Sequence, residues 1–212
     1  MSRSLSVDAI ILRTIDIGEA DRFCILFTRQ LGRRAARAKA VRKTGSRLGG
    51  IILPLRRVEL ELVETDHSCI ITGAVPVGEV HSHPEFSQVL QLQQGIEMLL
   101  ALTQDDEPLP AVFDLLVQFI DVTRTEHVTA LCPFQLRLLH LLGILPAVMD
   151  DPRFLRLPES GKLFIESCTQ LNNLASLASL PQPSTIQNFL LNVLSEELAG
   201  PLKSGMVAAE VR

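Results

Sequence analysis

Apolar residues in this chain recur at every second position up to about residue 80, and at every third or fourth position beyond it. No other feature constrains the fold as strongly. A strand turns successive side chains to opposite faces, whereas a helix gathers positions i, i+3, i+4 and i+7 on one stripe. In the first part, Val7–Arg13 and Arg22–Thr28 read as short apolar strands around an Ile17-Gly18-Glu19 turn. Gly32–Arg42 alternates cations with small residues. Arg33, Ala35, Arg37, Lys39 and Val41 share one parity, and Arg34, Ala36, Ala38, Ala40 and Arg42 the other. Alanines turned inward suit the narrow interior of a small closed barrel. Leu55–Glu64 places Val58, Leu60 and Leu62 on one face and Arg57, Glu59 and Glu61 on the other. Thr65-Asp66-His67-Ser68 reads as a turn and Cys69–Val77 as a further strand.

From Pro84 the spacing is helical. Val89, Leu92, Ile96, Leu99 and Leu100 form one stripe, and Val112, Leu115, Leu116, Phe119 and Val122 another. Leu131–Leu145 is apolar almost all round, as the central helix of a bundle would be, and two more helices are expected around Gly161–Leu171 and Ser184–Leu198. Pro84, Pro108, Pro110, Pro133, Pro158, Pro181 and Pro183 fall at or near the starts of these segments, where a missing N–H costs least. The expected fold is therefore α+β in two domains. Residues 1–80 form a five-stranded, partly open β-barrel of the OB type, and residues 81–212 an all-α helical domain.

A formal charge of −4, from 20 basic against 24 acidic residues, would argue against a nucleic-acid ligand if it were evenly spread. It is not. Residues 22–58 contain no Asp or Glu and carry eleven basic residues, which leaves 9 basic and all 24 acidic residues to the other 175. Solubility calls for mixed charge. A phosphate-binding surface calls for cations, because each neutralised phosphate releases condensed counterions. The residues expected on that surface are Arg29, Arg33, Arg34, Arg37, Lys39, Arg42, Lys43, Arg47 and Arg56. Trp and Tyr are absent, and Phe23 and Phe27 are expected in the core. Without aromatic platforms, binding should be dominated by the phosphate backbone, indifferent to sequence and sensitive to salt. A plain solvated face is the competing reading of the same block.

Several classes are disfavoured. No run of 18 apolar residues exists to span a bilayer, and the uncharged stretch Ser167–Ser195 is interrupted by Gln, Asn and Pro, so it reads as helix, loop, helix. Asp8 interrupts the approach to the apolar Ala9–Leu12 run and no small-residue cleavage site follows, so no secretory signal is expected. Cys24, Cys69, Cys132 and Cys168 are scattered with no CxxC pair, which fits buried free thiols in a reducing cytoplasm. His81-Ser82-His83 reads as linker and not as a metal pair. The sequence has no GxSxG, GxxxxGK[ST] or GxGxxG. An enzyme is disfavoured, and no cofactor or metal is expected. In the helical part, Arg137 on a strongly apolar segment either receives an acidic peptide in a helix-lined groove, or reaches solvent or an acidic neighbour.

The run ILRTIDIGEADRFCILFTRQLGR (Ile11–Arg33), then ARAKAVRKTGSRLGG (Ala36–Gly50) and Pro54, resembles the N-terminal OB domain of the bacterial RecO family of recombination mediators. Gly18, Glu19, Asp21, Phe27, Thr28, Gly32, Arg33, Lys39, Arg42, Ser46, Gly49 and Pro54 carry the likeness. PFQLRLLHLLGILP (Pro133–Pro146) is similar to that family's Leu-Gly helix, and LAGPLKSG (Leu198–Gly205) to its close. Many members follow the Leu-Gly helix with a CxxC zinc knuckle. Ala147–Gly161 has no cysteine here, so zinc should be absent.

The resemblance implies a cytoplasmic, nucleoid-associated protein of DNA repair and recombination. It would bind single- and double-stranded DNA, anneal complementary strands, and help load the RecA recombinase on DNA coated by single-stranded-DNA-binding protein. Implied partners are RecR and the acidic C-terminal tail of the coating protein, with Arg137 a candidate carboxylate partner. No membrane partner is implied. An alternative of another class is an adaptor whose basic face meets acidic protein tails and not DNA.

Overall fold

The computed structural model describes residues 3–65, 68–78, 85–126, 128–145, 150 and 152–197, with side chains described as far as 195. The chain divides into two compact units, residues 1–80 with 103–113, and residues 81–102 with 114–212. The expected boundary around 79–84, the His81–His83 pair, and the LAGPLKSG segment lie outside the described residues.

In the first unit, β1 (Arg3–Ile17), β2 (Asp21–Thr28), β3 (Gly32–Ala38), β4 (Arg57–Thr65) and β5 (Ser68–Pro76) close a barrel in the order β1-β2-β3-β5-β4. Neighbours are antiparallel except β3 and β5, which meet in parallel only at Arg37–Ile70 and Ala38–Ile71. That short contact makes the barrel closed, where a partly open one was expected. β1 runs longer than its alternation suggested because it serves two partners, pairing with β4 up to Ile10 and with β2 from Ala9 onward. A register shift between Ile11 and Arg13 supplies the bend that closure needs.

The barrel interior holds Val7, Ala9, Ile11, Cys24, Leu26, Ala36, Ala38, Val58, Leu60, Leu62 and Ile71. Ala36 and Ala38 face inward as their parity requires, but the strand stops at Ala38 and not at Arg42. Ala40 takes a positive φ of 54° and breaks the alternation. Val41, expected beside the cations, is therefore buried in the barrel, and Arg42 is exposed. Of the two phenylalanines expected to pack in the core, Phe27 does so and Phe23 does so only in part. With Cys24 and Leu26 inside, Phe23 and Phe27 lie on the outer face of β2. Phe27 is buried there, stacked on Phe113 with ring centroids 6.4 Å apart, while Phe23 is only half-buried.

Residues 103–113, expected in the helical domain, belong with the barrel. β5 leaves the outer edge of β3 unpaired at Arg33, and Asp105 fills it with an isolated parallel bridge. The crossing requires glycine at position 32. Its φ is +72°, and a Cβ there would sit 1.9 Å from the Glu107 carbonyl oxygen.

The second unit is built from α1 (Phe86–Leu102), α2 (Pro110–Thr125, from Asp114 on), α3 (Leu131–Leu141), α4 (Pro152–Leu155), α5 (Glu159–Gln170), α6 (Leu174–Ala178) and α7 (Thr185–Glu197). α3 touches α1, α5, α6 and α7, the central place that its all-round apolar sequence demands. It ends short of Leu145, and Gly143 follows with a φ of +70°. Phe119 and Phe134 stack at 4.1 Å, and α1 lies over them at Gly95, where a Cβ would come within 2.3 Å of the Phe119 ring.

Candidate nucleic-acid interface

The acid-free run 22–58 does not fold into an acid-free surface. With 103–113 included, the barrel unit has 13 basic and 12 acidic residues, and five of the nine expected contact residues are ion-paired. Arg29 lies 3.8 Å from Asp8 and 5.2 Å above the Phe113 ring. Arg33 bonds Asp105. Arg34 reaches Glu64 at 3.1 Å and Asp106 at 2.7 Å. Arg37 holds Asp21 at 2.6 Å, and Arg42 lies 3.3 Å from Asp16. Arg56 donates to the Gly50 carbonyl. Lys39, Lys43 and Arg47 differ. They are exposed, and among the described residues no carboxylate comes within ion-pair distance of them.

These three lie on the β3–β4 connection, residues 39–56. Val41 and Ile52 sink into the barrel core as anchors, with Leu48 and Ile51 packed against it. Short turns carry the chain between them: Lys43 N–H donates to Ala40, Ser46 to Lys43, Gly49 to Ser46 and Ile52 to Leu48. The β1–β2 hairpin braces the connection from the side. Arg42 donates through its backbone N–H to Ala20 and through Nη1 to Gly18, and Arg22 Nη1 donates to Ile52. Asp21 accepts from Ala40 N–H at 2.7 Å and from Arg37 Nε at 2.8 Å. Those two bonds, the backbone one first, and then the charges of Arg37 and Lys39 hold its carboxyl below the ordinary carboxylate pKa. Asp16 is lowered too, mainly by its bond from Arg22 and then by the charge of Arg42. The paired arginines thus form a frame that holds a short loop in one shape, and the loop presents the unneutralised cations.

β3 separates the expected contact residues into two groups. Arg29, Arg33 and Arg34 cluster near its start, whereas Lys39, Arg42, Lys43 and Arg47 follow its end, about 20 Å further along at the rise of a strand. The carboxylates that neutralise the first group, Asp8, Glu64, Asp105 and Asp106, all lie outside the run and are brought to it only by folding. A further cation outside the run, Arg13, is exposed on the outer face of β1 opposite Ile25 and next to the Ile15–Phe23 pair. Period-2 alternation through β1 could have found it.

Arg137 neither reaches solvent nor pairs with an acid. It is 8% exposed; Nη1 donates to the carbonyls of Cys168 and Thr169, and Nη2 to Asn172 Oδ1 at 2.7 Å. A guanidinium at the C-terminus of α5 satisfies carbonyls that the helix leaves open and complements its dipole. Burial pushes the thiols of Cys132 and Cys168 up to about 12 and that of Cys24 to about 11. Among the described residues there is no group of three or more His, Cys, Asp or Glu that could hold a metal, and no helix is long and apolar enough to cross a membrane.

Residues 1–78 match the family described as recombination protein O, N terminal, and residues 90–154 match recombination protein O, C terminal. The DNA repair protein RecO of Myxococcus xanthus is 30% identical over 143 residues, 66% of this chain and 59% of the relative. That of Koribacter versatilis is 29% identical over 211 residues, 91% of this chain and 83% of the relative. That of a Nocardioides species is 49% identical over 67 residues, 32% of this chain and 28% of the relative. The chain thus spans less than two thirds of the Myxococcus and Nocardioides proteins.

Proposed function

Because this chain belongs to the RecO family of DNA repair proteins, we propose that it is a non-catalytic mediator that binds single- and double-stranded DNA through the β3–β4 connection of its barrel and anneals complementary strands. The observation that carries this reading is the set Lys39, Lys43 and Arg47, three exposed cations with no carboxylate within ion-pair distance among the described residues, on a loop that hydrogen bonds from the rest of the barrel hold in one shape. Cations that screen two phosphate backbones let complementary strands approach. Arg42 and Arg56 lie on the same connection and complete the contact surface. One half-buried ring on the outer face, Phe23, offers at most a single stacking platform, so affinity comes chiefly from phosphates.

On this reading the helical unit serves partners. It receives the acidic tail of single-stranded-DNA-binding protein, and with RecR the whole protein assists loading of RecA onto coated DNA in the cytoplasm, at the nucleoid. Arg137 is then a strut that fixes α3 to the end of α5, and the tail's carboxylates meet other groups.

The test is annealing of complementary strands coated with single-stranded-DNA-binding protein, with and without RecR, together with a gel shift on a bare mixed-sequence oligonucleotide. Faster annealing and a salt-sensitive shift are expected. Binding to the acidic tail with no shift of bare DNA at any salt concentration would overturn the reading in favour of a protein adaptor.

A further inference from the structure

We propose that Asp105 and Asp106 are built-in phosphate mimics that set the affinity of the β3 arginines for polyanions. The inference rests on the DNA-binding reading above and adds affinity-determining residues that pull against it. Asp105 meets Arg33 across an isolated bridge on the unpaired edge of β3, and Asp106 N–H donates to the Arg33 carbonyl at 3.0 Å. This backbone docking brings the two carboxylates onto two consecutive guanidinium groups, Asp105 on Arg33 and Asp106 on Arg34. The exposures are uneven in a telling way. The side chains of Asp105 and Asp106 are 72% and 61% exposed, whereas those of Arg33 and Arg34 are 20% and 28% exposed. The acids sit on the solvent side and the cations beneath them, which is how phosphates arriving from solution would sit.

The segment cannot drift away as a whole. Gly32 admits the Glu107 backbone to a distance that no side chain would allow, and Phe113 stacks on Phe27. The two side chains need only swing for a phosphate to reach Arg33, whereas Arg34 also shares its charge with Glu64 at 3.1 Å. Exposed carboxylate–guanidinium pairs are weak in water, so a polyanion that offers several charges at once can displace both. The arrangement holds Arg33 and Arg34 neutral toward isolated anions and yields them to a dense phosphate array.

The test compares wild type with D105N/D106N in fluorescence anisotropy on labelled single- and double-stranded DNA across a salt series, with thermal unfolding alongside. Asn keeps the shape of Asp and tolerates the positive φ of 64° at position 106. With Arg34 still held by Glu64 at 3.1 Å, Arg33 is the group whose phosphate contact strengthens, so the duplex log–log salt slope should steepen by up to about 0.9 and binding tighten up to about eightfold at 0.1 M salt. E59Q/E61Q removes the same two charges from β4, where they pair with none of the β3 arginines, and should stay close to wild type. The mimicry is overturned if D105N/D106N folds as wild type does and binds with unchanged slope and affinity, if it binds more weakly, or if E59Q/E61Q tightens binding equally. Failure of wild type and D105N/D106N alike to bind DNA at low salt would instead sink the DNA-binding reading, and the mimicry with it.

Discussion

Replacing Lys39, Lys43 and Arg47 together by alanine removes three exposed charges, none within ion-pair distance of a described carboxylate, although the charge of Lys39 is felt by Asp21. Stability should change by no more than about 0.5 kcal/mol per site, as for other exposed positions away from special features. DNA binding should change greatly. Each phosphate released from contact lowers the salt slope by about 0.9 on a duplex and about 0.7 on a single strand, so the triple variant should lose about 2.7 and 2.1 of slope, respectively. Extrapolated from 1 M to 0.1 M salt, the duplex figure corresponds to a loss of about five hundredfold in affinity. The same measurement on R33A/R34A/R37A should behave differently. These arginines already bind Asp105, Asp106, Glu64 and Asp21, so their removal costs fewer ions released by DNA and unbalances four carboxylates. That variant should unfold at lower temperature and lose less slope than the loop triple. Anisotropy titrations at four or so salt concentrations, read beside thermal melts, separate the two. A loop variant with wild-type slope, or an arginine variant that loses more slope than it, would refute the claim that pairing decides which cations DNA meets.

Other perturbations follow from the same geometry. G95A forces a methyl into the Phe119 ring and should cost about 1–3 kcal/mol in urea unfolding; a neutral result would mean that α1 can slide freely over the stacked pair. The depressed pKa of Asp21 contributes stability that is complete above the unfolded carboxyl value of 3.8 and lost as pH falls through the lower folded value. D21N should therefore melt at lower temperature at neutral pH and show a flatter pH profile at the acid end. R137M leaves the carbonyls of Cys168 and Thr169 without their donor and should cost about 2–3 kcal/mol, with no gain from an added acidic peptide. At pH 8, an aromatic disulfide reagent should titrate Cys24, Cys132 and Cys168 only after denaturant is added, because burial keeps those thiols protonated.

Much of the fold was legible because periodicity is a local property. The strands in Val7–Thr28 and Leu55–Val77, the inward alanines 36 and 38, and the central helix at Leu131 all follow from which residues alternate or recur. The misreadings have separate causes. The end of β3 and the burial of Val41 turn on one residue, Ala40, in a conformation that the alternation did not anticipate. Of the two phenylalanines expected in the core, Phe27 packs as a core residue on the outer face of β2, opposite Cys24 and Leu26, and only Phe23 falls short of that expectation, remaining half-buried. Arg137 stood out in the sequence as a charge on an apolar helix, and its partners are backbone carbonyls, which carry no sequence signature.

By itself the sequence determined that a strand-built part precedes a helical one, that eleven cations are concentrated in one stretch, and that the chain resembles one family over nearly its whole length. Only the tertiary structure decided which of those cations remain unpaired. Arg33 and Asp105 are 72 residues apart in the chain and in contact in space. Alternation and helical spacing act through bonds between neighbours, so they can be read along the sequence. Coulomb pairing depends on distance after folding, so the +11 of residues 22–58 becomes a nearly neutral barrel unit in which three exposed cations of a single loop lie beyond ion-pair distance of every described carboxylate.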